Sequence, residues 1–166
     1  MKETPMASRK HIAIFGETNA GKSSLFNAIL GQDMSIVSQE RGTTTDPVSK
    51  AMELIPFGPV VLIDTAGLND DTVLGEQRTR KALAILERAD LALYTADINA
   101  FNRTAYEAMK EKFDKYGIPH ILVFTKRDTA PEKVEELKAL YPGAFFTEVG
   151  DARSIEDLKA AMGKLL

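Results

Sequence analysis

Short apolar runs alternate with amphipathic stretches along the whole chain, and that alternation leaves few folds open. Runs of strand length, interleaved with stretches whose apolar residues recur every three and four positions, are the pattern of strands joined by crossover helices. The strand candidates are His11 to Phe15, Val48 to Leu54, Val60 to Asp64, Leu91 to Asp97, Ile121 to Thr125 and Ala144 to Glu148. Helices are expected over Lys22 to Leu30, Gly75 to Arg88, Asn102 to Tyr116, Pro131 to Leu140 and Ser154 to Leu165. Pro56, Gly58 and Pro59 separate the second and third strands by a tight connection suited to an antiparallel hairpin. The expected fold is therefore α/β: a six-stranded, mostly parallel sheet with one antiparallel edge strand and helices on both faces.

A chain of 166 residues, 44% of them hydrophobic, fills one core and not two. Residues 1–10 are expected to be a flexible amino-terminal segment and 11–166 a single domain. Gln32 to Asp46 is polar, carries Gly42 and a run of threonines, and has neither periodicity; unstructured connections of that length are usually functional. The formal net charge of −3 argues against a broad nucleic-acid footprint. The absence of cysteine excludes a disulfide, a thiolate zinc site and a cysteine-ligated iron–sulfur cluster within these residues. Met1 to Lys10 lacks the apolar stretch of a signal peptide, and no later segment has the ~18 apolar residues of a membrane span, so a cytoplasmic location is expected.

Gly16-Glu17-Thr18-Asn19-Ala20-Gly21-Lys22-Ser23 satisfies G-x-x-x-x-G-K-[ST] between an apolar strand and a helix, where its mechanism needs it. The glycines let the backbone curl so that the amides of Thr18 to Ser24 face inward, and the helix start adds its positive dipole end. Lys22 is expected to reach the β- and γ-phosphates of a bound nucleotide. The Ser23 hydroxyl is placed to ligate Mg2+, while Ser24 looks structural. Asp64-Thr65-Ala66-Gly67 follows the apolar run Val60 to Ile63, which puts Asp64 at a strand's carboxyl end, on the sheet edge where ligands bind. Asp64 is expected to hold Mg2+ through water, and the Gly67 amide to reach the γ-phosphate. Thr44, within Gly42-Thr43-Thr44-Thr45-Asp46, is expected to complete the Mg2+ shell only when a γ-phosphate is present, although spacing does not choose among the three threonines.

Thr125-Lys126-Arg127-Asp128 closes another apolar strand and resembles the Asn-Lys-x-Asp element of the GTPase superfamily. In that reading the Asp128 carboxylate accepts two hydrogen bonds from the guanine edge, which adenine does not match, and the Lys126 stem covers one face of the base. The alternative role for Asp128 is an N-cap for the helix near Pro131, from which Thr129 and Ala130 separate it. Thr125 is shorter than Asn and is not expected to reach the phosphate cradle, which predicts modest nucleotide affinity. The superfamily's last element, Ser-Ala after the sixth strand, is degenerate here as Val149-Gly150-Asp151. Backbone amides of Gly150 or Asp151 are expected to meet the guanine carbonyl.

Together these motifs resemble the bacterial GTPase branch that contains Era-like and tRNA-modification GTPases. Within it, Ser35-Ile36-Val37-Ser38, Gly42 to Val48, Ala51-Met52-Glu53-Leu54, Gly58-Pro59-Val60 and Leu74-Gly75 look like the amino-terminal domain of the FeFe-hydrogenase maturation GTPases, HydF. That resemblance implies GTP and GDP as ligands and a nucleotide switch, as a monomer or weak dimer. It also implies a place in a scaffold that assembles the hydrogenase di-iron cofactor with radical maturation enzymes and the hydrogenase as partners. The family's cluster-binding and dimerisation domains are not in these residues, and His11 and His120 are expected to be ordinary strand-end imidazoles. Leu68 stands where Ras-like enzymes place a water-orienting Gln. The resemblance instead gives Asn19 to potassium, with the cation between the phosphates, Asn19 and carbonyls near Ser38 and Glu40. Lys22, Thr44 and Asn19 are then the catalytic set, with Glu76 as a further candidate to position water. The alternatives are a ribosome- or tRNA-associated factor of the same branch, and an ATP-dependent kinase on the same cradle.

Overall fold

Strands β1 (Lys10–Gly16), β2 (Val48–Leu54), β3 (Gly58–Asp64), β4 (Leu91–Asp97), β5 (His120–Thr125) and β6 (Phe145–Phe146) form one sheet in the order β2-β3-β1-β4-β5-β6. The computed structural model describes residues 9–17, 19–31, 48–65 and 75–166, with the backbone alone at 48, 75–79 and 82. The β2–β3 pair is antiparallel and every other pair is parallel, as the Pro-Gly-Pro connection predicts.

Helices α1 (Lys22–Leu30), α2 (Gly75–Arg88), α3 (Arg103–Lys115), α4 (Val134–Leu140) and α5 (Ala152–Leu165) cover the two faces. Because side chains alternate along a strand, Ile12 and Ile14 of β1 point one way and Ala13 and Phe15 the other. The first pair packs with Leu25 and Ile29 of α1 and with Leu158 and Met162 of α5. The second pair packs with Leu86 of α2 and with Tyr106 and Phe113 of α3. Burying a side chain of this size contributes about 1.5–3 kcal/mol relative to leaving it in water, so the near-continuous apolar strands are what hold the sheet between its helices.

This strand order places the functional end. After β1 the chain builds β3 on one side, then crosses to build β4 on the other, so the carboxyl ends of β1 and β4 open a crevice where connections diverge. The turn carrying Gly16 to Lys22 lies at that crevice.

Boundaries differ from expectation where side chains redirect the backbone. Asn102 is the N-cap of α3, its side chain accepting the Ala105 N–H at 3.0 Å. Asp151 caps α5 by accepting the Arg153 N–H at 3.1 Å, which starts that helix before Ser154. The expected helix from Pro131 opens with a 3-10 turn over Pro131–Lys133. The sixth strand is short because the Glu148 N–H turns away to the Ser154 hydroxyl. His120 begins β5 and is not a residue before it; its ring lies 5.0 Å from that of Phe113, with Nε2 2.9 Å from the Tyr106 hydroxyl, and burial pushes its pKa down. No helix among the described residues is long and apolar enough to cross a membrane.

Candidate functional site

The cradle begins with a close approach. A Cβ on Gly16 would sit 3.0 Å from the Thr95 carbonyl oxygen, a tight contact that any larger residue could make only by pushing β1 and β4 apart by a few tenths of an ångström. The Glu17 N–H then donates to Thr95 O at 3.0 Å, and the Ala20 N–H returns to Glu17 O at 3.1 Å. Asn19 takes φ 62° and Gly21 φ 78°, two left-handed residues that bend the loop into the start of α1. Gly21 is the N-cap of that helix and supplies no side-chain cap, leaving the first-turn amides for an anion.

Lys22 follows in the first turn, 7% exposed, with its Nζ buried and without a hydrogen-bond partner among the described residues. Burial pushes its pKa down, and the nearby Asp64 carboxylate acts in the opposite direction. Asp64 is itself buried at the end of β3, paired in register with Ile14. The Thr65 side chain fixes the strand's exit by donating to Ile14 O at 2.6 Å. The Ser23 and Ser24 side chains are exposed at the helix start. An ammonium with no hydrogen-bond partner among the described residues, a carboxylate beside it and a helix amino terminus are charges arranged for a phosphate with a divalent cation.

A second part of the site lies beside the first. Thr125, Lys126, Asp128, Thr147, Glu148 and Gly150 line a cleft of about 290 Å³, near the lower size of small-molecule sites. Lys126 sits in the left-handed region and turns the chain into a 3-10 turn over Arg127–Thr129. Asp128 is exposed at the cleft and does not cap the next turn, whose N-cap is Ala130.

The two parts are joined, contrary to the expectation from side-chain length. Thr125 does reach the cradle: its buried hydroxyl donates to Ala20 O at 2.6 Å, with Ala96 O 3.3 Å away. The short side chain suffices because β1 and β5 flank β4, and their ends meet over it. Lys126 Nζ makes a second link, 3.3 Å from Asn19 O and 3.0 Å from Asp97 Oδ2. Asp151 is also corrected. Its N–H is committed to Glu148 O at 3.0 Å, and its carboxylate binds Arg127 and caps α5, so of the two amides expected at the base only Gly150 lines the cleft. Thr18, Ser38, Glu40, Thr44, Gly67 and Leu68 lie outside the described residues, as does the side chain of Glu76.

A family model described as 50S ribosome-binding GTPase matches residues 11–126. The chain belongs to that GTPase family. It is a GTP-binding GTPase domain of the Era, MnmE and Der kind. Among curated relatives, the tRNA modification GTPase MnmE of Chromobacterium violaceum is 40% identical over 126 residues, covering 74% of this chain and 27% of MnmE. GTPase Der of Kosmotoga olearia is 35% identical over 130 residues, covering 75% of the chain and 29% of Der. The chain thus spans under a third of the length of these relatives. The fold matches Era bound to MgGDPNP and a segment of 16S ribosomal RNA, with TM-score 0.70 and 24% identity over 95% of this chain and 56% of that one. It also matches the G domain of the T. maritima FeoB iron transporter, with TM-score 0.69 and 24% identity over 95% and 98%.

Within this GTPase domain, several positions that matter were not legible from motifs. Glu17, an unspecified position of the cradle pattern, accepts hydrogen bonds from the Tyr94 hydroxyl at 2.9 Å and the Asn102 N–H at 3.1 Å, tying the loop to β4 and α3. Burial raises its pKa, with those bonds opposing. Asp97 anchors Lys126 and the Asn99 N–H; burial acts to raise its pKa, but these partners outweigh it and the net shift is downward. Of these signals only the carboxylate at a strand's carboxyl end was available from sequence.

The Thr125 link carries an expectation of its own. Thr125→Val keeps the shape and leaves the Ala20 carbonyl without that buried donor, so GDP dissociation is expected to speed by about tenfold. Stopped-flow release of a fluorescent GDP measures it, and an unchanged rate removes the link from the account.

Proposed function

We propose that the domain is a guanine-nucleotide switch in which the cradle holds the phosphates and the Asp128 carboxylate reads the base. The observation that carries this reading is Lys22 Nζ, buried beside Asp64 without a hydrogen-bond partner among the described residues. A charge left so in a folded protein is costly unless a ligand completes it. Lys22 meets the β- and γ-phosphates, and the amides that open α1 meet the same oxygens. Ser23, Asp64 and Thr44 are hydroxyl and carboxylate oxygens of the kind that hold Mg2+. When bound, Mg2+ offsets the charge that grows on the phosphate oxygens during transfer. Asp128 accepts two hydrogen bonds from the guanine edge, and the Gly150 amide meets its carbonyl.

Position 68 holds Leu in place of a water-orienting Gln, and a potassium ion held by Asn19 with carbonyls near Ser38 and Glu40 would add positive charge against the transition state, as an arginine does elsewhere. Asn19 is exposed, and its left-handed backbone is braced by Lys126 at its carbonyl. GTP turnover is expected to be about tenfold faster in KCl than in matched NaCl, a difference that Asn19→Ala abolishes. Equal rates in both salts for the unaltered domain overturn the potassium role and leave the switch intact.

The larger process served is assembly of the di-iron hydrogenase cofactor, where nucleotide state controls contacts with the radical maturation enzymes. The Thr-Thr-Thr-Asp-Pro-Val run and the Met-Glu-Leu strand support it, as does the acidic balance. A second reading, a ribosome- or tRNA-associated factor, is supported by the relatives named above, since MnmE is a tRNA modification GTPase and Era is seen with 16S ribosomal RNA. Sequencing the gene past the codon for Leu166 separates them: a downstream His with paired Cys supports the scaffold, and an RNA-binding module reverses the choice.

A further inference from the structure

Between Lys126 and Asp128 stands the one position that the base-recognition motif leaves open, and in this chain it holds Arg127. Arg127 is not among the residues that line the cleft, yet it touches both of its walls. Its Nε donates to Glu148 Oε1 at 2.8 Å, and its Nη2 lies 2.7 Å from that oxygen and 2.7 Å from Asp151 Oδ2. Nη1 donates to the Phe146 carbonyl at 3.3 Å, while the Arg127 backbone N–H donates to Thr147 O at 3.0 Å. One residue therefore spends its guanidinium and its amide on four consecutive or near-consecutive positions of the opposite loop, Phe146 to Asp151. Exposed ion pairs contribute little as a rule. A planar fork shared between two carboxylates and a carbonyl is a different case, because it fixes relative orientation as well as distance.

We infer that Arg127 is a specificity-positioning residue: it staples the turn bearing Asp128 to the loop bearing Gly150, so that the groups that read the base are held at one spacing. The staple stands in for the Ser-Ala element that this chain lacks after β6. Val149 and Gly150 have no side chain able to hold that loop in place, and the contacts from Arg127 fall on the residues flanking them. The inference rests on the proposed reading of guanine by Asp128. It differs from a purely structural role in what it moves: the phosphate cradle is tied by Thr125 and Glu17, not by Arg127, so only contacts to the base loosen when the staple is lost.

The test is the ratio of ADP to GDP dissociation constants for the whole chain, by competition against a fluorescent guanine nucleotide. Arg127→Ala is expected to lower that ratio about tenfold through weaker GDP binding, with ADP binding unchanged. Arg127→Lys is expected to recover little, since an ammonium cannot fork across two carboxylates. Asp151→Asn keeps a good helix cap while weakening one arm, so it is expected to give an intermediate loss even if Arg127→Ala folds poorly. Equal weakening of GDP and ADP, or an unchanged ratio in both Arg127→Ala and Asp151→Asn, overturns the inference. Asp128→Asn is run beside them: a ratio insensitive to that change overturns the guanine reading and the inference together. Loss of selectivity in Asp128→Asn with none in the Arg127 variants overturns the inference alone.

Discussion

Replacing Asp128 with Asn is expected to weaken GTP binding about a thousandfold while raising affinity for xanthosine triphosphate. The carboxylate has only acceptors, and the guanine edge offers two N–H donors to it. An Asn at the same place keeps one acceptor and turns an N–H toward the base, which leaves a desolvated donor facing a donor. Sites built to hydrogen-bond one partner reject the mismatched one by roughly 10⁴-fold for this reason, and an exposed residue such as Asp128 is placed somewhat below that. Xanthine carries a carbonyl where guanine carries its amino group, so the same amide finds an acceptor there. Competition binding with GTP, ATP and xanthosine triphosphate reads all three arms. Undiminished GTP affinity in the variant removes Asp128 from the base site.

Lys22→Met is expected to separate stability from activity. The ammonium is buried with no hydrogen-bond partner among the described residues, and Met matches its volume without the charge. GTP hydrolysis should fall by about a thousandfold, the scale of losing one preorganised donor to a transferring phosphoryl group together with much of the ground-state contact. The nucleotide-free variant should melt within a few degrees of the parent, because Met removes a desolvated ammonium but also leaves the buried Asp64 carboxylate without its neighbouring cation. The pH dependence has a definite sign. The folded pKa of Lys22 lies below the value of 10.5 that an ordinary lysine keeps, so the unfolded chain binds the proton more tightly. The destabilisation is fully present below the folded pKa and is relieved as pH rises through it toward 10.5, and this alkaline gain in nucleotide-free stability is absent from Lys22→Met. A variant that keeps its hydrolysis rate contradicts the assignment.

Local chemistry made most of the fold legible. Apolar runs at strand length predicted β1 to β5, and the Pro-Gly-Pro turn predicted the antiparallel pair, because each depends on residues close in sequence. The cradle was legible for the same reason, since Gly16, Gly21 and Lys22 are needed at fixed spacing by one loop. What sequence could not show depends on where strands meet. That Thr125 reaches Ala20 follows from the two strand ends flanking β4, a matter of sheet order. Glu17 and Asn102 are 85 residues apart, and Arg127 finds its partners only once β6 has laid its loop against the turn. The sequence offers the Asp151 amide to the base as readily as that of Gly150, but the nearest obligations of Asp151 are local: it closes a turn and caps a helix, the ordinary work of Asp before a helical run.

In the proposed reading, one cleft joins a phosphate cradle to a guanine reader, and the domain hydrolyses the nucleotide held there. The decisive measurement is phosphate release by the unaltered chain with Mg2+ in KCl, with GTP and ATP supplied side by side at equal concentration. Turnover of GTP that GDP inhibits and ADP does not, with ATP left essentially intact, is the predicted result. Release from ATP at a comparable rate would contradict it.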